Sequence, residues 1–382
     1  MEKKAEDNFE DQYGRAGVRD TPQLLEYYSK LKALNTDALW TIANAIEPWE
    51  PKPTSIPMLW KYKDLRELVI QSADLVKPEE AGRRVVYFAN KGRTETGACV
   101  GWLYSGLQTM RPGEFTPAHR HMASALRFIM EGKGAYTVVN GHKIDLNARD
   151  FVITPNDCWH DHGVYEDGEQ CIWQDGLDIP LMNTLDCNFY DVYPKPAQSA
   201  KYPLNDMPLS HAGSGVLPDK LNWENDYSPI MRFSFENTYN ALKDLDKVSK
   251  GDKYGGHTVR YINPTNGGHV MPTMGGYMQM LRNSESTTSY RRTGSYVFQV
   301  AKGKGYSIIG GKRFDWEEKD VFVIPSWTFF THHNLDDNDD ACLFCFNDLP
   351  VMEKLGLYFE ESYAEYEEAL KKGYKSSYQG RD

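Results

Sequence analysis

Gly113-Glu-Phe-Thr-Pro-Ala-His119-Arg-His121 and Pro155-Asn-Asp-Cys-Trp-His160 are the stretches on which the reading of this chain turns. Side chains two apart on a strand project from the same face. His-x-His on a β-strand therefore aims two imidazoles at one point, and a third histidine from a neighbouring strand completes a metal site. The competing reading is three unrelated surface or core histidines. Both stretches carry strand-like apolar runs and Gly/Pro punctuation, which favours a metal held by His119, His121 and His160.

Outward from these stretches, residues 83–180 break into short β-type runs: Val85-Val-Tyr-Phe, Phe128-Ile-Met, Ala135-Tyr-Thr-Val-Val, Phe151-Val-Ile-Thr and Cys171-Ile-Trp. Turns such as Asn140-Gly141 separate them, the texture of an antiparallel sandwich or barrel. The texture then repeats. Glu131-Gly-Lys-Gly-Ala-Tyr matches Lys302-Gly-Lys-Gly-Tyr-Ser, and the run from Asp150 through Pro155 to His160 matches that from Asp320 through Pro325 to Phe330, at offsets of 171 and 170 residues. Two copies of one β-barrel follow. In the second, Tyr290, Arg292 and Phe330 stand where His119, His121 and His160 would be. His332 and His333 lie close but lack a His-x-His partner, so the second barrel is expected to be structural and without metal.

Before the first barrel, residues 1–75 read as a helical segment. Asp20-Thr21-Pro22 is a helix start, Leu65, Leu68 and Val69 mark one helix face, and Glu47-Pro-Trp-Glu-Pro-Lys-Pro connects the helices. The predicted order is this segment, a metal-binding barrel over 76–193, a linker with short helices over 194–250, a second barrel over 251–350 and a helical tail over 351–382. Pro, Ser, Gly and Asn crowd residues 194–229.

A chain of 382 residues, 40% hydrophobic and 13% aromatic, buries two sizeable cores. Its formal charge of −11, with no long Lys/Arg cluster, argues against nucleic acid or an anionic membrane surface as partner. No run of about 18 apolar residues suggests a membrane span. The polar start Met1-Glu-Lys-Lys-Ala-Glu lacks an apolar signal region, and a cytoplasmic protein is expected. The six cysteines are scattered. Cys342-Leu-Phe-Cys345 has redox or zinc spacing but lies in an apolar run that reads as a buried strand.

These segments resemble the cupin superfamily, whose first motif is G-x5-H-x-H-x3,4-E-x6-G. Gly113, His119, His121 and Gly132 keep that spacing, with Ala125 in place of the glutamate. In the looser second motif Pro155 and His160 remain, while Arg149, Asp157 and Val164 replace two glycines and an asparagine; the second barrel keeps that asparagine as Asn334. A bicupin with a three-histidine first site looks like the gentisate 1,2-dioxygenase family, with its salicylate and 1-hydroxy-2-naphthoate relatives. Ala118-His-Arg-His121, Ser124-Ala-Leu-Arg-Phe128, Trp159-His-Asp-His162 and Asp175-Gly-Leu-Asp-Ile-Pro180 carry the likeness. It implies an all-β-dominated fold of two cupin (double-stranded β-helix, jelly-roll) barrels, Fe(II), O2-driven ring cleavage beside the carboxylate, and a homotetramer.

The residues suit such chemistry. Iron oxygenases often use two histidines and a carboxylate on one face. Replacing that carboxylate with a third neutral imidazole leaves one more positive charge on the site, which a substrate chelating as a dianion through carboxylate and ortho-phenolate neutralises. Zinc also accepts three histidines. Strand parity places Arg127 on the face of His121, and His162 two residues from His160. Tyr104, Gly106 and Gln108 share one parity, as do Arg83 and Val85, without parity alone fixing which is inward. The resemblance puts Arg83, Arg127 and His162 near the substrate carboxylate, which an arginine fork binds well. Each has a plainer reading: Arg127 in a barrel-end ion pair, Arg84 acting in place of Arg83, His162 capping a turn beside Gly163. Asp175 either pairs with a cation or serves as base for a ring hydroxyl. The expected activity is the opening of gentisate to maleylpyruvate. The alternatives are salicylate or 1-hydroxy-2-naphthoate cleavage, or a non-catalytic cupin that binds aromatic acids.

Overall fold

The computed structural model describes residues 18–205, 219–220 and 223–379; the polar start and part of the Pro/Ser/Gly-rich connection lie outside them. Residues 53–364 form one compact unit; the described residues up to Lys52, with those from Glu365 on, form another. No helix among the described residues is long and apolar enough to cross a membrane.

Residues 53–364 contain two cupin jelly rolls, each a six-stranded and a five-stranded antiparallel sheet. In the first, strands order as Arg232–Phe233, Phe151–Thr154, Ala125–Glu131, Cys171–Leu177, Tyr104–Met110 and Val85–Tyr87 in one sheet. The other orders Tyr190–Val192, His119–His121, His160–Val164, Ala135–Val139 and His142–Leu146. The second jelly roll repeats the arrangement. Tyr290 pairs with Phe330 as His119 pairs with His160, and Cys345 lies between Tyr277 and Phe298 as Asp175 lies between Gly106 and Arg127.

The repeat extends to strained turns. Arg149 and Asp157, at motif positions usually held by glycine, have φ of 68° and 58°; Lys319 and Trp327 match them at 73° and 57°. The left-handed conformation has persisted where glycine has not, at about 1–2 kcal/mol each. Asn140-Gly141 forms the expected hairpin turn, both residues at positive φ.

The sequence reading missed three strands. Met58–Trp60, expected within a helical segment, pairs with Val321–Val323 of the second barrel. Arg232–Phe233, expected in the linker, pairs with Phe151 and Val152 of the first. Equivalent buried carboxylates anchor both additions: Asp320 accepts from Lys61 Nζ (2.6 Å) and Tyr62 N (2.8 Å), and Asp150 from Arg232 Nε (2.7 Å) and Phe235 N (3.3 Å). Glu360–Ser362, expected in a helical tail, is a strand pairing with Tyr290–Arg292. Three- and two-residue strands leave too little alternation to be read from sequence.

Pro22–Ala33 starts at Thr21, whose hydroxyl accepts from Leu24 N. In Tyr62–Leu75 the expected face holds in part: Val69 is fully buried and Leu65 packs against the core, but Leu68 is exposed. The linker holds a 14-residue helix, Phe235–Val248. The six-stranded sheets pack face to face, with Phe128 stacked on Phe344 at 4.3 Å. Gly176 allows this approach, since a Cβ there would lie 2.6 Å from Phe346 Cζ. Cys342 and Cys345 are free and buried in Ala341–Asn347, their thiols pushed up to about 12 by burial, which fits neither redox nor zinc work.

Candidate metal centre

His119 and His121 lie on one face of their three-residue strand, and His160 opens the antiparallel neighbour opposite His119. Their ligand atoms fall within 4.8 Å of one another, the only such His/Cys/Asp/Glu group among the described residues. Each ring is fixed from behind: Nδ1–H donates to Pro117 O (2.7 Å), Ala123 O (2.7 Å) and Cys158 O (2.8 Å), respectively. Those bonds set the tautomer and leave Nε2 as the lone-pair atom facing inward, the arrangement that orients metal-bound imidazoles. His119 Nε2 and His160 Nε2 are buried without a protein partner. Burial first, then the Arg83 charge, holds His119 down to about 4 and His121 to about 3. Burial and the neighbouring histidines keep His160 well below its usual range. Three neutral imidazoles, two of them with orphaned lone pairs, fit a metal ion. The exposed Tyr190 ring stacks on His119 at 5.3 Å.

Around the triad lies a buried polar layer. Arg127, 1% exposed, donates from Nη1 to Thr154 Oγ1 (2.8 Å) and from Nη2 to His162 Nε2 (2.6 Å), while its Nε faces Asp175 Oδ1 at 3.3 Å. His162 bonds Thr137 Oγ1 through Nδ1 at 2.9 Å, so both its nitrogens are engaged. Burial pushes the Asp175 carboxyl up against the pull of Arg127 and Arg83, and brings Arg127 down to about 10. Trp173 Nε1 donates to Asp175 Oδ1 at 3.2 Å. Both amide atoms of the buried Gln108 lack a partner.

The pair Arg83-Arg84 separates cleanly. Arg84 is buried in an ion pair with Glu114, whereas half-buried Arg83 brings Nη1 to 3.5 Å from His121 Nε2. Tyr104 stacks on Tyr87 at 6.0 Å, its hydroxyl pKa raised by burial and then Asp175. Gly106 has a packing reason: a Cβ would come within 2.7 Å of Val85 Cγ1 and Tyr87 Cα. Sequence reasoning missed Thr137, Thr154, Trp173 and Tyr190. For Thr137 a signal existed, because Ser307 holds His332 Nδ1 at 2.7 Å in the repeat.

Paired jelly rolls, one carrying a buried group of three histidines, define a bicupin metalloprotein. A cupin domain model matches residues 106–180. The gentisate 1,2-dioxygenase 1 of Aquipseudomonas alcaligenes is 36% identical over 340 residues, 89% of this chain and 96% of that protein. The 5-aminosalicylate 1,2-dioxygenase of Comamonas sp is 33% identical, covering 86% and 88%. Among solved structures, the salicylate 1,2-dioxygenase of Pseudoaminobacter salicylatoxidans in its adducts with gentisate superposes with a TM-score of 0.84 at 31% identity, covering 91% and 96%. The chain belongs to the gentisate 1,2-dioxygenase family, bicupin dioxygenases that cleave aromatic rings.

Proposed function

We propose that this enzyme opens gentisate with O2 to maleylpyruvate, with Fe(II) held by His119, His121 and His160. The observation that carries the reading is the neutral triad beside Arg83, Arg127 and Asp175. Fe(II), held by these three histidines, would supply the O2 chemistry.

The protein's residues supply charge and orientation. Arg83 and the unspent N–H donors of Arg127 receive the substrate carboxylate. Thr137 fixes the His162 proton on Nδ1, so Nε2 accepts from Arg127 and aims it; His162 is then a positioning residue. Gln108 offers an unsatisfied amide to the ring substituents, and Tyr104 closes the ring's side of the site with Tyr87. Asp175 Oδ2, which has no partner among the described residues, accepts the proton of the hydroxyl para to the chelating one. We extend the proposal to a cytoplasmic homotetramer.

A second reading, salicylate-type cleavage, is favoured by the Arg127–Asp175 ion pair, in which the carboxylate serves as the counter-charge of a buried guanidinium and needs no substrate hydroxyl. Oxygen uptake by Fe(II)-loaded protein with gentisate, salicylate and 1-hydroxy-2-naphthoate separates the two. Gentisate should be turned over fastest, and Asp175→Asn should slow it by about 10²–10⁴ while slowing salicylate far less. An equal loss on both substrates, with metal retained, refutes the base.

A further inference from the structure

The second barrel, expected to be purely structural, contains a cavity of about 210 Å³. Tyr277, Gln279, Tyr290, Arg292, Phe298 and Cys345 line it, and these occupy the repeat positions of Gly106, Gln108, His119, His121, Arg127 and Asp175. The place of the metal centre has therefore kept its hollow while its chemistry changed. Among the described residues no metal-ligand group remains there. What remains is one cation among aromatic rings, with two carboxylates at the lining.

Arg292 lies over the rings of Tyr296 (4.0 Å) and Tyr290 (5.5 Å). Its buried Nε has no hydrogen-bond partner, and no carboxylate pairs with the guanidinium among the described residues. A guanidinium with no carboxylate in hydrogen-bond contact, in a half-closed cavity, keeps N–H donors open to an anion. Two carboxylates also line the hollow, each with its own donor: Asp252 accepts from Tyr254 N and Glu360 from the Tyr358 hydroxyl, both at 2.5 Å. They disfavour a second negative charge on the ligand. The volume, below the usual 300–1,000 Å³ of drug-sized pockets, excludes nucleotides and sugar phosphates. Tyrosines and Phe298 suit a flat apolar body.

We propose that this cavity binds a small aromatic monocarboxylate, its carboxylate on Arg292, at a second site separate from the metal centre. Benzoate is the probe, since it lacks the ortho-hydroxyl needed to chelate. Calorimetric titration of the iron-loaded enzyme should show a benzoate site that survives His119→Ala. The same site should weaken at least tenfold in Arg292→Gln, the loss of one charge-assisted hydrogen bond. Thr258→Trp, at an exposed rim position, should block it without disturbing the core. Unchanged binding in both Arg292→Gln and Thr258→Trp overturns the proposal. So does binding abolished by His119→Ala, or benzylammonium bound in preference to benzoate.

Discussion

Replacing Arg127 by Met removes a cation while keeping most of its volume. Arg127 and Asp175 have side chains 1% and 4% exposed, so solvent cannot screen the carboxylate left behind. Deleting one partner of a buried pair costs about 3–5 kcal/mol, whereas replacing both partners with neutral groups of similar size is close to neutral. His162 Nε2 and Thr154 Oγ1 also lose their donor, adding to the single-variant cost. Denaturant unfolding of iron-loaded wild type, Arg127→Met, Asp175→Asn and the double variant should therefore be strongly non-additive. The double should recover at least 2 kcal/mol of the summed losses, a value at the upper end of usual coupling energies of about 0.5–3 kcal/mol. Activity should behave differently. Arg127→Met should lose roughly tenfold to hundredfold in kcat/KM, one charge-assisted hydrogen bond at about 1.4 kcal/mol per decade, and the double variant should not regain it. Additive stability losses would show that the two groups do not act as a pair. A double variant with restored kcat/KM would show that Arg127 serves only to neutralise Asp175.

Other consequences are open to direct measurement. Alanine at His119, His121 or His160 should release most of the metal, as read by elemental analysis, while joint replacement of His332 and His333 should leave metal content unchanged. Asp348 is fully buried and its carboxyl is pushed up to about 7 by desolvation, partly offset by the Ser295 N–H. Its folded-state pKa thus exceeds the unfolded value of about 3.9, so its contribution is greatest in acid and declines as pH rises from about 4 to 7. Asp348→Asn should flatten that part of the stability–pH curve, and an unaltered slope would count against the assignment. Gly176→Ala should cost about 1–3 kcal/mol by overpacking against Phe346; a neutral result in thermal unfolding would mean that the sheets adjust freely.

The histidine spacing and the 170-residue repeat made the barrels and the metal centre legible, because strand parity turns a two-residue interval into a shared face. Parity also brought Arg127 and His162 to the site, but it could not show that Arg127 faces Asp175, since that contact joins strands 48 residues apart. Adjacent Arg83 and Arg84 were not separable by composition; the partner Glu114, supplied by tertiary packing, decides between them. Gly106 shares the parity of Tyr104 and Gln108, yet the space its missing side chain leaves belongs to the Val85–Tyr87 strand, which parity could not show. The short strands at Met58, Arg232 and Glu360 stayed hidden for a related reason: they are defined by the edge they meet.

The strand Met58–Trp60 sets an order for building the molecule. Its partner at Val323 is synthesised some 265 residues later, a wait of roughly 10–50 s at usual elongation rates. Until then a Met-Leu-Trp segment has no sheet to join, and when Val321–Ile324 does emerge its outer edge stays open until that segment returns. An open edge of Val, Phe, Val and Ile is a template for pairing between chains. Shortening the N-terminus past Trp60 would therefore leave the metal ligands in place and still yield a protein that associates through its second barrel.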